Sequence, residues 1–147
     1  MRMVRVSRQQ LAVKMYQQKV KQMEQGVKSL RVYQLAYELA MKIFIISKDF
    51  PKEERYALTD QIRRSSRSVC SNLAEGYRKR IYPRHFTAKL TDADGECSET
   101  LVWVDFAKDC QYISVEMHQE LTDSYHSVGS MLGKMRRYPE RFTPKSH

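Results

Sequence analysis

The sequence predicts an all-α fold: an antiparallel up-down-up-down four-helix bundle carrying a basic N-terminal arm. Three observations lead there. Glycine and proline are scarce, five and four in 147 residues, which disfavours a turn-rich β fold. Four segments place apolar residues at alternating steps of three and four, the repeat of an amphipathic helix. The connections between them are short, and helices of similar length joined by short connections lie antiparallel.

Residues 1–28 precede the bundle. Val13, Tyr16, Val20, Met23 and Val27 have helical spacing, but the segment is Gln-rich, basic and short of large apolar residues. A mobile or partly helical arm is expected, with Gly26 as its joint. The bundle itself is expected over 29–138. Its first helix runs from Leu30 to Phe50, with Val32, Ala36, Leu39, Ile43, Ile46 and Phe50 on one line. The stretch "FPKEE" ends it, because the residue before a proline is pushed out of helical geometry. The second helix carries Leu58, Ile62, Val69 and Leu73, with Ser65 and Ser66 filling the gap, and frays near "RKRIYP". Pro83 suits the first turn of the third, whose line is Phe86, Leu90, Ala93, Cys97, Leu101 and Val104. Ser114 is the expected N-cap of the fourth, with Glu116 in its first turn. There His118, Leu121, Tyr125, Val128, Leu132 and Met135 keep the step. Residues 139–147 are expected to form a frayed tail.

Several function classes find no support. No apolar run reaches the roughly 18–20 residues that span a bilayer, and the N-terminus lacks the apolar block of a secretory signal. Cys70, Cys97 and Cys110 are an odd number without CxxC or Cys/His spacing, so neither a disulfide framework nor a zinc site is indicated. A cytoplasmic protein is expected, with no membrane partner. There is no phosphate loop, GxSxG or HExxH. Carboxylate-bridged metal bundles need two acidic-x-x-His units, and "DSYH", Asp123 with His126, is one unit without a second. Asp92, Glu96 and Glu99 share a helical face, where ion pairing is the expected role. His85 and His118 stand alone near apolar lines. The expectation is no enzyme, no metal and no cofactor; a metal-dependent bundle enzyme would require bound metal in the purified protein.

The charge of +9 is distributed in blocks. Residues 1–28 hold seven Lys/Arg and one Glu, a net +6; residues 55–89 hold nine basic and two acidic residues, a net +7. Residues 92–123 hold one basic and nine acidic residues, a net −8. Such polarity bears on partners. The second helix projects Arg63, Arg64, Arg67 and Arg78 away from the core, and Lys79, Arg80 and Arg84 follow; all seven are candidate phosphate contacts, assisted by the arm. Between the arginines and the core runs a polar stripe of Gln61, Ser65, Ser68 and Asn72. On the third helix a second face, Gly95, Glu99, Val102, Phe106 and Ile113 flanked by Trp103, is more apolar than a lone bundle requires and is a candidate subunit interface. The arginines have two uses open to them: a phosphate backbone, or the acidic third helix of another copy in a head-to-tail contact that closes a ring.

Three stretches, "RVYQLAYELAMKIF", "FPKEERYALTDQIRRSSRSVCSNLAEGYRKR" and "HFTAKLTDADGECSETLVW", resemble the 23S ribosomal-RNA intervening-sequence protein family, over about residues 29–137. The resemblance implies a four-helix bundle assembling as a ring-shaped homopentamer. It also implies kinship with the accessory variability determinant proteins of diversity-generating retroelements, which bind nucleic acid and partner a reverse transcriptase. The family motif falls on Gln61, Arg63, Arg64, Ser68, Asn72, Glu75 and Gly76. Of these, Asn72, Glu75 and Gly76 are read as packing and helix-end elements. The chain departs from the pattern at Asp94 and Glu96, where the family has a basic residue and a serine around its glycine. The expected function is a non-enzymatic, ring-forming protein that binds nucleic acid, RNA in particular, through phosphate contacts with little sequence selectivity. The alternative is a protein-interaction scaffold acting as accessory subunit of a reverse transcriptase.

Overall fold

The computed structural model describes residues 6–24 and 26–144, with side chains for 6–18 and 26–144. Expectations on residues 1–5, 25 and 145–147 lie outside the described residues, as do the side chains of Val20 and Met23. Five α-helices and no strand occur among the described residues: α1 Arg8–Glu24, α2 Arg31–Ser47, α3 Leu58–Arg78, α4 Pro83–Asp109 and α5 Val115–Arg137. Short 3₁₀ turns at Gly26–Ser29, Lys52–Glu54 and Pro139–Arg141 join or follow them.

Each of α2 to α5 buries one line of residues. On α2 it is Val32, Ala36, Leu39, Ile43 and Ser47, continued past the helix end by Phe50; Ile46, expected in that line, is only partly buried. On α5 it is Leu121, Tyr125, Val128, Leu132 and Met135. On α4 the buried line is Phe86, Leu90, Ala93, Cys97, Thr100, Val104 and Ala107, an unbroken alternation of four and three. Leu101, expected in that line, is only partly buried, and Thr100 takes its place. Pro83 does occupy the first turn of α4, and the Ser114 hydroxyl accepts the Met117 N–H at 3.0 Å to cap α5.

The helices pack in sequence, α2 on α3, α3 on α4 and α4 on α5, and α2 also packs on α5. The closest pair is α3 with α4. Ser65 and Ser66 are buried there, and a Cβ on Gly76 would stand 2.9 Å from the Lys89 Cβ. The Thr100 hydroxyl lies 2.9 Å from the Ser65 hydroxyl and 2.8 Å from the Glu96 carbonyl. The Ser65 hydroxyl accepts from Thr100 and itself reaches the Ile62 carbonyl at 3.4 Å, so both buried hydroxyls have partners, as buried polar groups require.

The N-terminal segment forms a 17-residue helix, α1, whose residues 6–18 are exposed. Val27 already packs against the core. At the other end the chain turns back over the body instead of fraying at residue 139. Phe142 stands edge-on to Phe86, centroids 5.8 Å apart, and the Thr143 hydroxyl donates to the Arg80 carbonyl at 3.3 Å.

Candidate nucleic-acid interface

Residues 63 and 64 are adjacent on α3, so their side chains leave the helix about 100° apart. That angle sends them to different neighbours. Arg63 crosses to α2, where its Nε donates to the Ser47 hydroxyl at 2.8 Å and its guanidinium lies 4.8 Å from the Phe44 ring centroid. Arg67, one turn on, lies 5.7 Å from the same ring, and Lys48 approaches it at 4.8 Å. Phe44 is thus a shared platform for three cations, each such contact contributing about 0.5–1 kcal/mol at an exposed site. Arg64 turns to α4 instead, where it pairs with Glu99 and, at 3.5 Å, with Glu96.

The two carboxyls of that triad respond in opposite directions. The hydrogen bond from Arg64 holds Glu99 below the usual carboxylate range. Burial pushes Glu96 up, and its hydrogen bond to Glu99 adds to the rise. The Arg64 guanidinium is correspondingly paired within its own bundle.

An open depression of about 610 Å³ runs along the outer side of α3, and Arg55, Tyr56, Asp60, Arg63, Arg64 and Arg67 are among its lining. Arg55 lies over the Tyr56 ring at 5.3 Å, and Tyr56 is 85% exposed. Four of these participants, Arg55, Tyr56, Lys48 and Phe44, escaped the sequence reading. The signal was present: Phe44 lies off the core line of α2, one helical face away from Ile43, where a polar residue belongs.

The remaining candidates gather elsewhere. Arg78, Lys79 and Arg84 are exposed around the α3–α4 connection. Arg80 folds over the Tyr77 ring at 4.1 Å and donates to the Tyr77 carbonyl. Arg67 and Arg78 are separated by about 16 Å along the helix axis, at 1.5 Å per residue. The seven basic residues therefore form two clusters, Arg64 lining the same depression as Arg63 and Arg67 while paired with α4.

The motif positions are mostly internal ties. Asn72 donates to the Ser68 carbonyl at 2.9 Å, Glu75 pairs with Lys89 at 2.7 Å, and Gln61 accepts from Arg64 at 3.4 Å. On α4, Val102 and Phe106 are about half exposed, 47% and 54%. Trp103 packs partly against the core with its ring 6.0 Å from Phe106. Ile113 does not join this face. The helix ends at Asp109, Gln111 adopts a positive φ of 64°, and the reversed chain packs Ile113 against the core. A further apolar surface was missed: Tyr37, Met41 and Ile45 on α2 are exposed beside a groove of about 390 Å³ between α2 and α3.

The sequence profile of the 23S rRNA-intervening sequence proteins matches residues 28–134, most of the chain, from before α2 into the last turn of α5. The chain belongs to that family. Among solved structures, a protein of unknown function from the S23 ribosomal protein family of Bacteroides thetaiotaomicron superposes with a TM-score of 0.65 at 23% identity. The match covers 72% of this chain and 95% of that one, and it speaks to the fold alone. No curated protein sequence matches the chain. Within the family match, the unusual acidic pair on α4 has internal partners: Asp94 meets Arg136 of α5 at 3.5 Å, and Glu96 meets Arg64. The match begins at residue 28, so α1 lies outside it.

Proposed function

We propose that this intervening-sequence family member binds nucleic acid, RNA in particular, through phosphate contacts on the outer side of α3. One observation carries the reading: Arg55, Arg63 and Arg67 line an open depression beside an 85%-exposed tyrosine. Cations supply phosphate contacts and an exposed ring supplies a stacking platform, the combination that holds single strands without sequence readout. The family's description names 23S rRNA, which agrees with RNA as the ligand. No part of this reading calls for catalysis, a metal or a cofactor. A filter-binding titration of the full chain with a single-stranded RNA oligonucleotide, at several salt concentrations, tests it. Binding that weakens steeply with salt is expected; no binding even in low salt overturns it.

The architecture in this reading is an up-down-up-down four-helix bundle. Its support is the order of the ion pairs: along α3 and α4, Arg64 meets Glu99 while Glu75 meets Lys89, and along α4 and α5, Asp94 meets Arg136 while Asp105 meets His118. The bundles associate into a ring of copies in the cytoplasm, with the Val102–Phe106 face of α4 as a subunit contact. Phe106→Glu is then expected to lower the mass measured by light scattering, and an unchanged mass removes that contact. The exposed apolar surface on α2 favours a second role, a scaffold that docks a protein such as a reverse transcriptase.

A further inference from the structure

We propose that the groove between α2 and α3 is a seat for an unpaired nucleobase whose phosphate lies on Arg67 at the groove's mouth. α2 supplies Tyr33, Tyr37, Ala40 and Met41 to its lining, and α3 supplies Cys70 and Ala74. Ala40 and Cys70 are buried and make an apolar floor, whereas Tyr37 and Met41 stand 53% and 44% exposed along the side. The small residues at 40 and 74 leave a space of about 390 Å³ that larger side chains would close. That volume falls among small-molecule sites, roughly 300–1,000 Å³. The Tyr33 and Tyr37 rings, 6.1 Å apart and tilted by 32°, give the groove an aromatic wall.

The neighbouring recess selects the occupant. Arg67 and Ser71 line both this groove and the basic depression, so the two meet at one guanidinium. Beyond it stand Arg63 and Arg55, and in the depression's lining Asp60 is a single carboxylate against four arginines. Arg63 and Arg67 share the Phe44 ring, which fixes both cations on the groove's side of α3. Arg67 and Ala74 are seven residues apart, about 10 Å along the helix, so a flat group in the groove lies beside the cation. An occupant of both recesses therefore carries an anion and a flat apolar group next to each other, as every nucleotide of a strand does. An apolar side chain of a protein would fill the groove and bring no anion to the arginines. A phosphate alone would leave Tyr37 and Met41 in water. Paired bases are stacked inside a duplex, whereas splayed single-stranded bases reach aromatic side chains. Stacking is tolerant of base identity, which keeps selectivity low. The seat rests on the phosphate reading of α3 and narrows its ligand to strands with unpaired bases.

The test is filter retention of the full chain in low salt with two probes of equal length. One is a single-stranded RNA oligonucleotide; the other is a phosphate backbone of the same charge built from stable abasic residues. The RNA should be held about tenfold tighter, the loss expected when a base is denied its aromatic contact. Tyr37→Ala combined with Met41→Ala should bring the RNA down to the affinity of the abasic strand. Ala74→Leu, which fills the groove instead of stripping its wall, should do the same, so the outcome does not hang on one variant. Arg67→Ala should weaken retention of both probes. Equal retention of RNA and abasic strand by the unaltered chain overturns the seat and leaves the phosphate contacts standing. A base preference that survives both groove variants belongs to Tyr56 and also overturns the seat, leaving the groove to a protein partner. Failure of both probes to bind overturns the phosphate reading itself, and the seat with it.

Discussion

At Arg64 a single guanidinium serves two carboxyls whose surroundings pull them apart. Glu99 is stabilised as a carboxylate by Arg64, so its folded pKa is lowered and its contribution is present above the ordinary carboxylate range. That contribution is lost as pH falls through the lowered value. Glu96 is the reverse: burial raises its pKa, so its charged form is a cost at neutral pH that protonation relieves on acidification. Two substitutions of the same kind should therefore differ in sign. Glu99→Gln is expected to cost up to about 1 kcal/mol at neutral pH, the cost vanishing in acid. Glu96→Gln is expected to be neutral or stabilising at neutral pH. Urea unfolding of both variants at neutral and acidic pH checks this, and equal losses would show that burial does not govern Glu96. Gly76 is a second residue whose surroundings decide its identity. Alanine there gains up to about 1 kcal/mol of helix propensity, but its Cβ would meet the Lys89 Cβ at 2.9 Å, close to the backbone where little can yield. Overpacking of that sort costs about 1–3 kcal/mol. Gly76→Ala should destabilise the protein in the same urea experiment.

At the scale of elements, the sequence made the helices legible wherever one face alone is apolar. The lines on α2 and α5 could be read by counting except at Ile46 and His118, which are only partly buried, and the caps by residue type: Pro83 opens α4 and Ser114 caps α5. Replacing the cap, Ser114→Ala, orphans the Met117 N–H and is expected to cost about 1 kcal/mol, visible as a lower midpoint in thermal unfolding. The line on α4 was misread at one step because Thr100 is polar. Only the fold reveals that Ser65 of α3 stands opposite and takes up its hydroxyl. The same limit hid the candidate site. Arg63 and Arg64 look alike in sequence, yet one meets an aromatic ring and the other two carboxyls, because each faces a different neighbouring helix. The capping box of α1 was readable as Ser7-x-x-Gln10, but a basic, Gln-rich composition masked it.

For the whole molecule, the uneven charge sets what salt should do. Residues 55–89 carry a net +7 and residues 92–123 a net −8, so α3 and α4 oppose each other within one bundle and only part of the basic charge is free for a phosphate backbone. Arg64 and Arg67 both line the open depression, but Arg64 is already paired with Glu96 and Glu99, whereas Arg67 shares the Phe44 ring with Arg63. A cation that neutralises a phosphate on binding releases a counterion, and each such contact adds roughly 0.7 to the slope of log affinity against log salt for single strands. Arg67→Ala should therefore weaken RNA binding and flatten that slope by about one contact. Arg64→Ala should leave the slope unchanged while lowering stability slightly, since it removes the cation that pairs with Glu99 and Glu96. Filter binding of the two variants across a salt series separates them. Equal flattening by both would mean that Arg64 leaves its carboxylates to meet RNA.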